Sequence, residues 1–257
     1  MLPAHLFQIL IVDEDVRDAA PEPVLEANIA SFKATYTGAD YRLYSGPELA
    51  RFIGENFPAE VLATYHALQP YSFKADLGRY CLLYKLGGLY SDLSFLHTRR
   101  MEIDAETEMV VFRGIPIHPS WATSTSLIYA RAGHTVLKNA ITRIVKYRRS
   151  RFHGVSPLEP TGPYLLGRVL AECADWRKIK FGDSRLISMD AGGRANIVKI
   201  MPTGELVAIR NKTHNSSIGE LVRARGNSYA EMWRQGQVWA EPPAKNLLKK
   251  IKSKFSK

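Results

Sequence analysis

The stretch Ser72–Phe95, SFKADLGRYCLLYKLGGLYSDLSF, predicts a helix, a tight stop and a strand in immediate succession. Gly87-Gly88 is the predicted stop, because glycine adopts the left-handed conformation without steric cost. The alternation from Leu89 to Leu93 is typical of a strand. The helix is predicted by apolar residues that recur every three or four positions: Phe73, Leu77, Tyr80 and Tyr84.

The lengths of this helix and strand place three charged residues at one level. Asp76 and Arg79 are three positions apart and share a helix face. From Arg79 to Gly87 the helix rises about 12 Å, and a strand returning from Gly88 to Asp92 covers about 13 Å. We therefore expect two carboxylates and one guanidinium to meet, either as a purely structural ion-pair network or as a functional site.

The rest of the chain alternates between strand and helix patterns, which indicates an α/β sheet with helices on its faces. Apolar or alternating runs predict strands at 6–12, 41–44, 109–112, 185–188, 197–200 and 206–209. Periodic segments predict helices at 21–36, 46–57, 58–69, 136–149 and 161–174. In the last of these, Thr161 is the candidate N-cap, and His134 is expected at a helix start or in the core.

The pattern K-x-D-x-x-R-x-x-x-L-x-x-x-G-G-x-Y-x-D over residues 74–92 closely resembles the sugar-nucleotide-binding region of the DxD glycosyltransferases. That family includes initiating α-1,6-mannosyltransferases and the glucosylating domain of the large clostridial toxins. Thr161-Gly162-Pro163 and the segment Trp121–His134 resemble further landmarks of the same family. The resemblance implies a GT-A type, Rossmann-like mixed sheet flanked by helices. From the length of the chain and its lysine-rich end, we expect a single domain over residues 1–240 and a basic C-terminal helix over 241–257.

The resemblance also implies roles for individual residues. Asp92, Asp76 and Arg79 take the catalytic positions: Asp92 binds metal, ribose or both, while Asp76 and Arg79 hold hydroxyl groups of the donor sugar. Further substrate-binding positions are expected at Tyr90 beside the donor, Gln8 on the first strand, Ser94, and Thr125 or Ser126 facing the sugar.

The second aspartate of D-x-D is replaced by Ser94 in this chain. A neutral hydroxyl is a weaker ligand than a carboxylate for Mn²⁺ or Mg²⁺, the cofactors that the resemblance implies. Three interpretations follow: Asp92 holds the metal with the diphosphate and another side chain, arginine and lysine replace the metal, or the site is inactive. His214, in a late segment where relatives complete the metal site, is the candidate additional ligand.

Composition is that of a soluble globular protein, with 46% hydrophobic and 23% charged residues among 257. No apolar run approaches the roughly 18 residues needed to cross a bilayer. The first twelve residues lack a basic leader and make a poor signal peptide. Two cysteines do not form a disulfide framework, and Cys81 is expected to be buried. We therefore expect a reducing, cytoplasmic location.

The net charge of +10 is concentrated in two places: residues 109–158 lack any acid, and the last thirteen residues carry six lysines and no acid. In the tail, Leu247, Leu248, Ile251 and Phe255 fall on one helical face, the pattern of an interfacial helix on an anionic membrane. A disordered, solubilising tail is the alternative. Nucleic acid is not expected as a partner, because the basic residues are not interleaved with stacking aromatics.

The resemblance implies a retaining glycosyltransferase that moves a sugar from a UDP- or GDP-linked donor to a glycan or lipid-linked acceptor. The basic tail favours a peripheral enzyme at the inner membrane face, in bacterial surface polysaccharide synthesis. The alternative, motivated by Ser94, is a non-catalytic nucleotide-sugar or glycan-binding protein on a degenerate GT-A fold.

Overall fold

The computed structural model describes residues 2–13, 23–173, 175–188, 195–211 and 227–240, which form nine strands and seven helices. The strands are β1 (His5–Leu10), β2 (Asp40–Ser45), β3 (Gly88–Ser91), β4 (Phe95–His97), β5 (Met109–Arg113), β6 (Thr123–Ala130), β7 (Ile179–Ser188), β8 (Ala195–Ile200) and β9 (Leu206–Arg210). The helices are α1 (Pro23–Thr35), α2 (Gly46–Asn56), α3 (Ala59–Ala67), α4 (Tyr71–Leu86), α5 (Thr135–Ser150), α6 (Pro163–Ala171) and α7 (Tyr229–Arg234). His214 and the basic tail lie outside the described residues.

The strands form one mixed sheet in the order β2-β1-β3-β6-β5-β7-β8-β9-β4. Strands β2, β1 and β3 are parallel, whereas β6 runs antiparallel to both of its neighbours. Strand β7 is parallel to β5, and β8, β9 and β4 complete the sheet with antiparallel pairings. The predicted mixed sheet flanked by helices is therefore confirmed.

The sheet curls, so that its last strand returns to the level of β3. Strand β4 follows β3 closely in the chain but pairs only with β9 at the far end of the order. Ser91 Oγ of β3 nevertheless lies 2.8 Å from His97 Nε2 of β4. The ring of His97 stacks on Phe32 of α1, with centroids 4.4 Å apart. Side-chain contacts from β3 and α1 therefore hold the curled end of the sheet.

Both faces of the sheet are covered, as the near-continuous apolar strands require. On one face, Phe7 and Tyr90 pack with buried residues of α2 to α6. On the opposite face, their neighbours Leu6 and Leu89 pack with Phe32 and the residues enclosed by the curl. The alternation of adjacent strand residues between the two faces follows the period of two.

Helix α4 and its glycine stop have the predicted form. Pro70 is the N-cap, and after Leu86 the chain turns at Gly87 and Gly88, whose φ values are +66° and +119°. The following strand ends at Ser91 instead of continuing to Leu93 as predicted, because the Phe95 N–H donates to the Asp92 carbonyl at 3.3 Å and closes a turn.

Two predictions are confirmed here: the helix over 136–149 forms as α5, and His134 stands at a helix start. Its buried face includes Leu137, Ile141, Ile144 and Val145. His134 is its N-cap, and the Nδ1 atom of His134 accepts a hydrogen bond from the Val136 N–H at 3.3 Å.

Cys81 of α4 is fully buried, as expected, and burial raises the pKa of its thiol.

The sequence patterns miss other parts of the fold. They predict neither β4 nor α7, and strand β7 begins at Ile179, well before the predicted Arg185. None of the helices within the described ranges is both long and apolar enough to cross a bilayer.

Gly88 is a test of how tightly β3 and β1 approach one another. A Cβ at this position would lie 2.5 Å from the His5 carbonyl oxygen of β1. We expect Gly88→Ala to lower the free energy of unfolding by about 3 kcal/mol or more, because positive-φ strain and backbone overlap add together. The control is Gly133→Ala, at φ +77° with nothing within 4 Å, for which strain alone costs about 1 kcal/mol. Equal losses in urea unfolding would contradict the close approach as the cause.

Candidate active site

A cleft of about 490 Å³ opens where strands β1 and β3 end. Ligands in open α/β sheets bind beyond the carboxyl ends of the strands. The cleft is lined by the end of β1, by α4 and by the turn after β3, together with the N-terminus of α6 and Tyr229 of α7. Three of these elements, β1, α6 and α7, are distant in sequence and converge on the unit that decides the fold.

Arg79 occupies the floor of this cleft and joins both carboxylates, as the helix and strand lengths predict. Its Nη1 lies 3.0 Å from Asp92 Oδ1, and its Nη2 lies 3.3 Å from Asp76 Oδ1. Nη1 also donates to the carbonyl of Thr125 at 2.6 Å, and Nε donates to that of Ala75 at 3.2 Å. The arrangement brings the three predicted catalytic residues together; their catalytic roles stay a prediction.

Tyr90 is the fourth member of this cluster. Its hydroxyl donates to Asp92 Oδ1 at 2.7 Å. Its ring lies under the guanidinium of Arg79, with the carbon of that group 4.4 Å from the ring centroid. Tyr90 therefore bonds the same Asp92 oxygen as Arg79 does. Its ring also supports the guanidinium of Arg79.

The electrostatics of the cluster favour a permanently charged Arg79. Burial opposes the charge of Arg79, but Tyr90, Asp92 and Asp76 outweigh it and raise its pKa. Burial raises the pKa of Asp76, and Arg79 and a hydrogen bond from Thr161 act against that rise. The guanidinium of Arg79 thus pairs with both carboxylates, and all three residues line the cleft.

Thr161 acts on Asp76 instead of capping a helix. Helix α6 begins at Pro163 with Gly162 as its N-cap, and no side chain caps it, so the prediction of Thr161 as the cap is wrong. The Thr161 hydroxyl donates to Asp76 Oδ2 at 2.8 Å. Its carbonyl accepts a hydrogen bond from the Tyr80 hydroxyl at 2.9 Å. The segment therefore orients the buried carboxylate from the side opposite Arg79.

Two asparagines that the sequence patterns did not single out hold the turn after Asp92. Asn28 Nδ2 donates to the carbonyls of Leu93 at 2.9 Å and of Asn211 at 3.0 Å. Asn211 returns a bond from its Nδ2 to Asn28 Oδ1 at 2.9 Å, and its N–H donates to the Ser94 carbonyl at 2.8 Å. Both asparagines line the cleft. A polar residue within the apolar face of α1 was the signal that could have revealed Asn28.

Of the predicted substrate-binding residues, Tyr90, Ser94 and Thr125 line the cleft, whereas Ser126 and Gln8 do not. The carbonyl of Ser126 accepts a hydrogen bond from the Asp92 N–H at 2.8 Å. Gln8 is fully buried in the sheet, where its Oε1 accepts a hydrogen bond from the Tyr41 hydroxyl at 3.0 Å. For these two residues, direct contact with substrate stays a prediction without support from their position.

A metal at this site would depend on Asp92. The described residues contain no group of three or more His, Cys, Asp or Glu side chains that could hold a metal ion. Asp92 Oδ1 is bonded by Arg79 and Tyr90, which leaves Oδ2 as its open ligand atom within the described part of the chain. Mg²⁺ is commonly held by one or two carboxylates together with substrate phosphates, and Asp92 with the nearby Ser94 fits that donor set.

Two comparisons with known proteins give a match. Residues 12–110 match the family described as glycosyltransferase sugar-binding region containing DXD motif. A solved structure titled PaToxG Glycosyltransferase is similar to this chain with a TM-score of 0.50 and 12% sequence identity, over 66% of this chain and 69% of that one. No curated protein sequence matches.

The match of residues 12–110 and the shared fold together support a glycosyltransferase. Within the matched region, Ser94 stands in place of the second aspartate of the DXD motif. The resemblance carried by residues 74–92 is therefore confirmed.

The buried position of Arg79 makes a clear prediction for stability. Its side chain is 6% exposed, whereas Arg113, paired with Asp183 at 2.9 Å, is 57% exposed. We expect Arg79→Met to lower the free energy of unfolding by about 3–5 kcal/mol, because it leaves buried carboxylate charge unpaired. The matched variant Arg113→Met should cost less than about 1 kcal/mol. Similar losses for both variants in chemical denaturation would show that the cluster is not a buried ion network.

Proposed function

We propose that this protein transfers a sugar from a nucleotide-diphosphate donor to a glycan or lipid-linked acceptor with retention of anomeric configuration. The observation that carries this proposal is the Asp76–Arg79–Asp92 cluster on the floor of a cleft of about 490 Å³. A cleft of this volume lies in the range of small-molecule sites. The match to a sugar-binding region supplies the class of ligand.

The reaction breaks the bond between the anomeric carbon and the diphosphate oxygen, and the diphosphate leaves with the electron pair. The acceptor hydroxyl oxygen forms the new bond to that carbon, and its proton passes to the departing diphosphate on the same face of the sugar. Asp76 and Arg79 hold sugar hydroxyls, and Asp92 is the group nearest the diphosphate. A bound divalent cation, Mn²⁺ or Mg²⁺, would stabilise the charge that develops on the leaving group.

Donor binding tests this assignment directly. We expect calorimetry with UDP-glucose and GDP-mannose, each with Mn²⁺ and with EDTA, to show binding of one donor. Asp92→Asn should weaken that binding at least about tenfold, as expected for loss of a charged contact. The control is Asp183→Asn, which removes a half-exposed carboxylate paired with Arg113 away from the cleft. Equal effects of the two variants would contradict the role of Asp92.

The metal arm of the same experiment separates the interpretations of Ser94. Binding only with Mn²⁺ supports a metal site built around Asp92 and makes His214 the next residue to test. Binding that persists in EDTA assigns the charge-stabilising role to arginine and lysine. Failure of the folded protein to bind either donor would contradict the proposed function for these donors.

Turnover distinguishes the enzyme from a non-catalytic binder. We expect the wild-type protein to release nucleoside diphosphate from the donor that it binds, and NMR of the product to show an α-linked sugar from an α-linked donor. If the wild type binds donor but releases no nucleoside diphosphate, and only Ser94→Asp produces turnover, the native protein is a non-catalytic nucleotide-sugar-binding protein on a degenerate fold. Product of inverted configuration would contradict the retaining mechanism.

We further propose that the lysine-rich tail holds the enzyme on an anionic membrane surface, in the synthesis of bacterial surface polysaccharide. Each basic residue near such a surface contributes about 1 kcal/mol. Replacement of Lys249, Lys250, Lys252 and Lys254 by glutamine should therefore abolish sedimentation with phosphatidylglycerol vesicles at low salt. Replacement of the same number of lysines elsewhere, at Lys33, Lys85, Lys138 and Lys146, is the control for net charge. Equal loss in both variants would contradict a specific role for the tail.

A further inference from the structure

Lys199 of β8 is a buried lysine that the proposed reaction does not use. Its side chain is 1% exposed, within the curled part of the sheet. Its Nζ donates to Ser124 Oγ at 2.7 Å and to Ser184 Oγ at 2.8 Å. The same nitrogen lies 5.5 Å from the ring centroids of Phe95 and Phe112. Within the described part of the chain, hydroxyl groups and aromatic faces surround this amine, and no carboxylate forms a salt bridge with it.

Such a position is costly for a lysine. Burial lowers the pKa of Lys199 to about 7, and the negative charge of Asp92 acts in the opposite direction. An apolar side chain of similar volume would fill the same space without removing an ammonium group from water. The presence of a lysine here therefore needs a reason, and its two hydrogen bonds are where that reason is sought.

One of these bonds leads to an irregular part of β6. In the pairing of β5 with β6, Val110 lies opposite Tyr129, but Phe112 lies opposite Ser124. A single residue of β5 thus faces the four residues 125–128 of β6, and this mismatch makes an extended bulge. Bulges free the backbone from its ladder and are frequent next to active sites. Leu127 and Ile128 of this segment stay paired with Ser91 and Tyr90 of β3, so residues 125 and 126 are the part that other contacts must hold.

This bulge carries the two backbone carbonyls that hold the charged cluster. The carbonyl of Thr125 accepts a hydrogen bond from Arg79 Nη1 at 2.6 Å. The carbonyl of Ser126 accepts one from the Asp92 N–H at 2.8 Å. A small shift of the bulge would therefore displace Arg79 and Asp92 together.

We propose that Lys199 is a positioning residue that fixes this bulge, and through it Arg79 and Asp92, by way of the hydroxyl groups of Ser124 and Ser126. Ser124 Oγ receives a hydrogen bond from Lys199, so its own proton is available to Ser126 Oγ, which lies 2.9 Å away. The chain of contacts then continues through the backbone of Ser126 to Asp92. The second bond of Lys199 leads elsewhere, because Ser184 Oγ donates to the Arg113 carbonyl at the end of β5.

Because the two hydrogen bonds of Lys199 lead to different parts of the sheet, their serine partners supply a matched pair of variants. Ser124→Ala and Ser184→Ala each remove one hydroxyl partner of Lys199, but only Ser124 leads to the site. Ser124→Thr keeps the hydroxyl and is the conservative rescue. Hydrogen exchange of the Asp92 amide reports the position of the bulge without any donor, whereas donor affinity, measured with UDP-glucose and GDP-mannose, rests on the proposed function.

We expect Ser124→Ala to accelerate exchange of the Asp92 amide and to weaken donor binding, each about tenfold, the factor that corresponds to one ordinary hydrogen bond. Ser184→Ala should change the exchange rate and the donor affinity by less than about twofold, although it should lower stability as much as Ser124→Ala does. Ser124→Thr should keep the wild-type values of both. Equal exchange rates in the two alanine variants would overturn the positioning role. If exchange responds as expected but the wild type binds neither donor, the positioning role stands and the proposed function fails for these donors.

Discussion

The buried guanidinium of Arg79 is the constraint on which the rest of the site depends. A cation in this position requires anionic and carbonyl partners on several sides, because the surrounding protein cannot replace water in any other way. Helix α4 supplies Asp76, the turn after β3 supplies Asp92, and β6 supplies the carbonyl of Thr125. Three separate elements must therefore meet at one point, and the cleft exists where they meet.

The sequence predicts the part of this site that lies within one continuous stretch of chain. The meeting of Asp76, Arg79 and Asp92 follows from a helix, a stop of two glycines and a strand, all within about twenty residues. The partners of Asn28 are 65 and 183 positions away, and no pattern in the sequence pairs them. Lys199 is likewise joined to Ser124 across 75 positions. These contacts follow from the curl of the sheet, which periodicity does not encode.

The same limit explains the errors at individual elements. Strand β4 has three residues, too few for an alternation to be recognised, and it is fixed by His97 packing on α1. Thr161 has the residue type of an N-cap, but Gly162 takes that place, and a buried carboxylate 85 positions earlier accepts the hydrogen bond of the Thr161 hydroxyl. Charge burial outweighs capping here, because an unsatisfied buried carboxylate costs more than an uncapped helix end.

The replacement of aspartate by Ser94 changes the charge of the turn but leaves its support in place. Asn28 and Asn211 hold the backbone of Leu93 and Ser94 from one side, and Tyr90 and Arg79 hold Asp92 from the other. None of these contacts needs a second carboxylate, so the geometry of the turn does not depend on one. With one acid fewer, the turn is more positive by one unit than a D-x-D turn, and it repels a diphosphate less strongly. The substitution therefore reduces the charge that a metal must neutralise at this site, while the contacts that hold Asp92 are made without a second carboxylate.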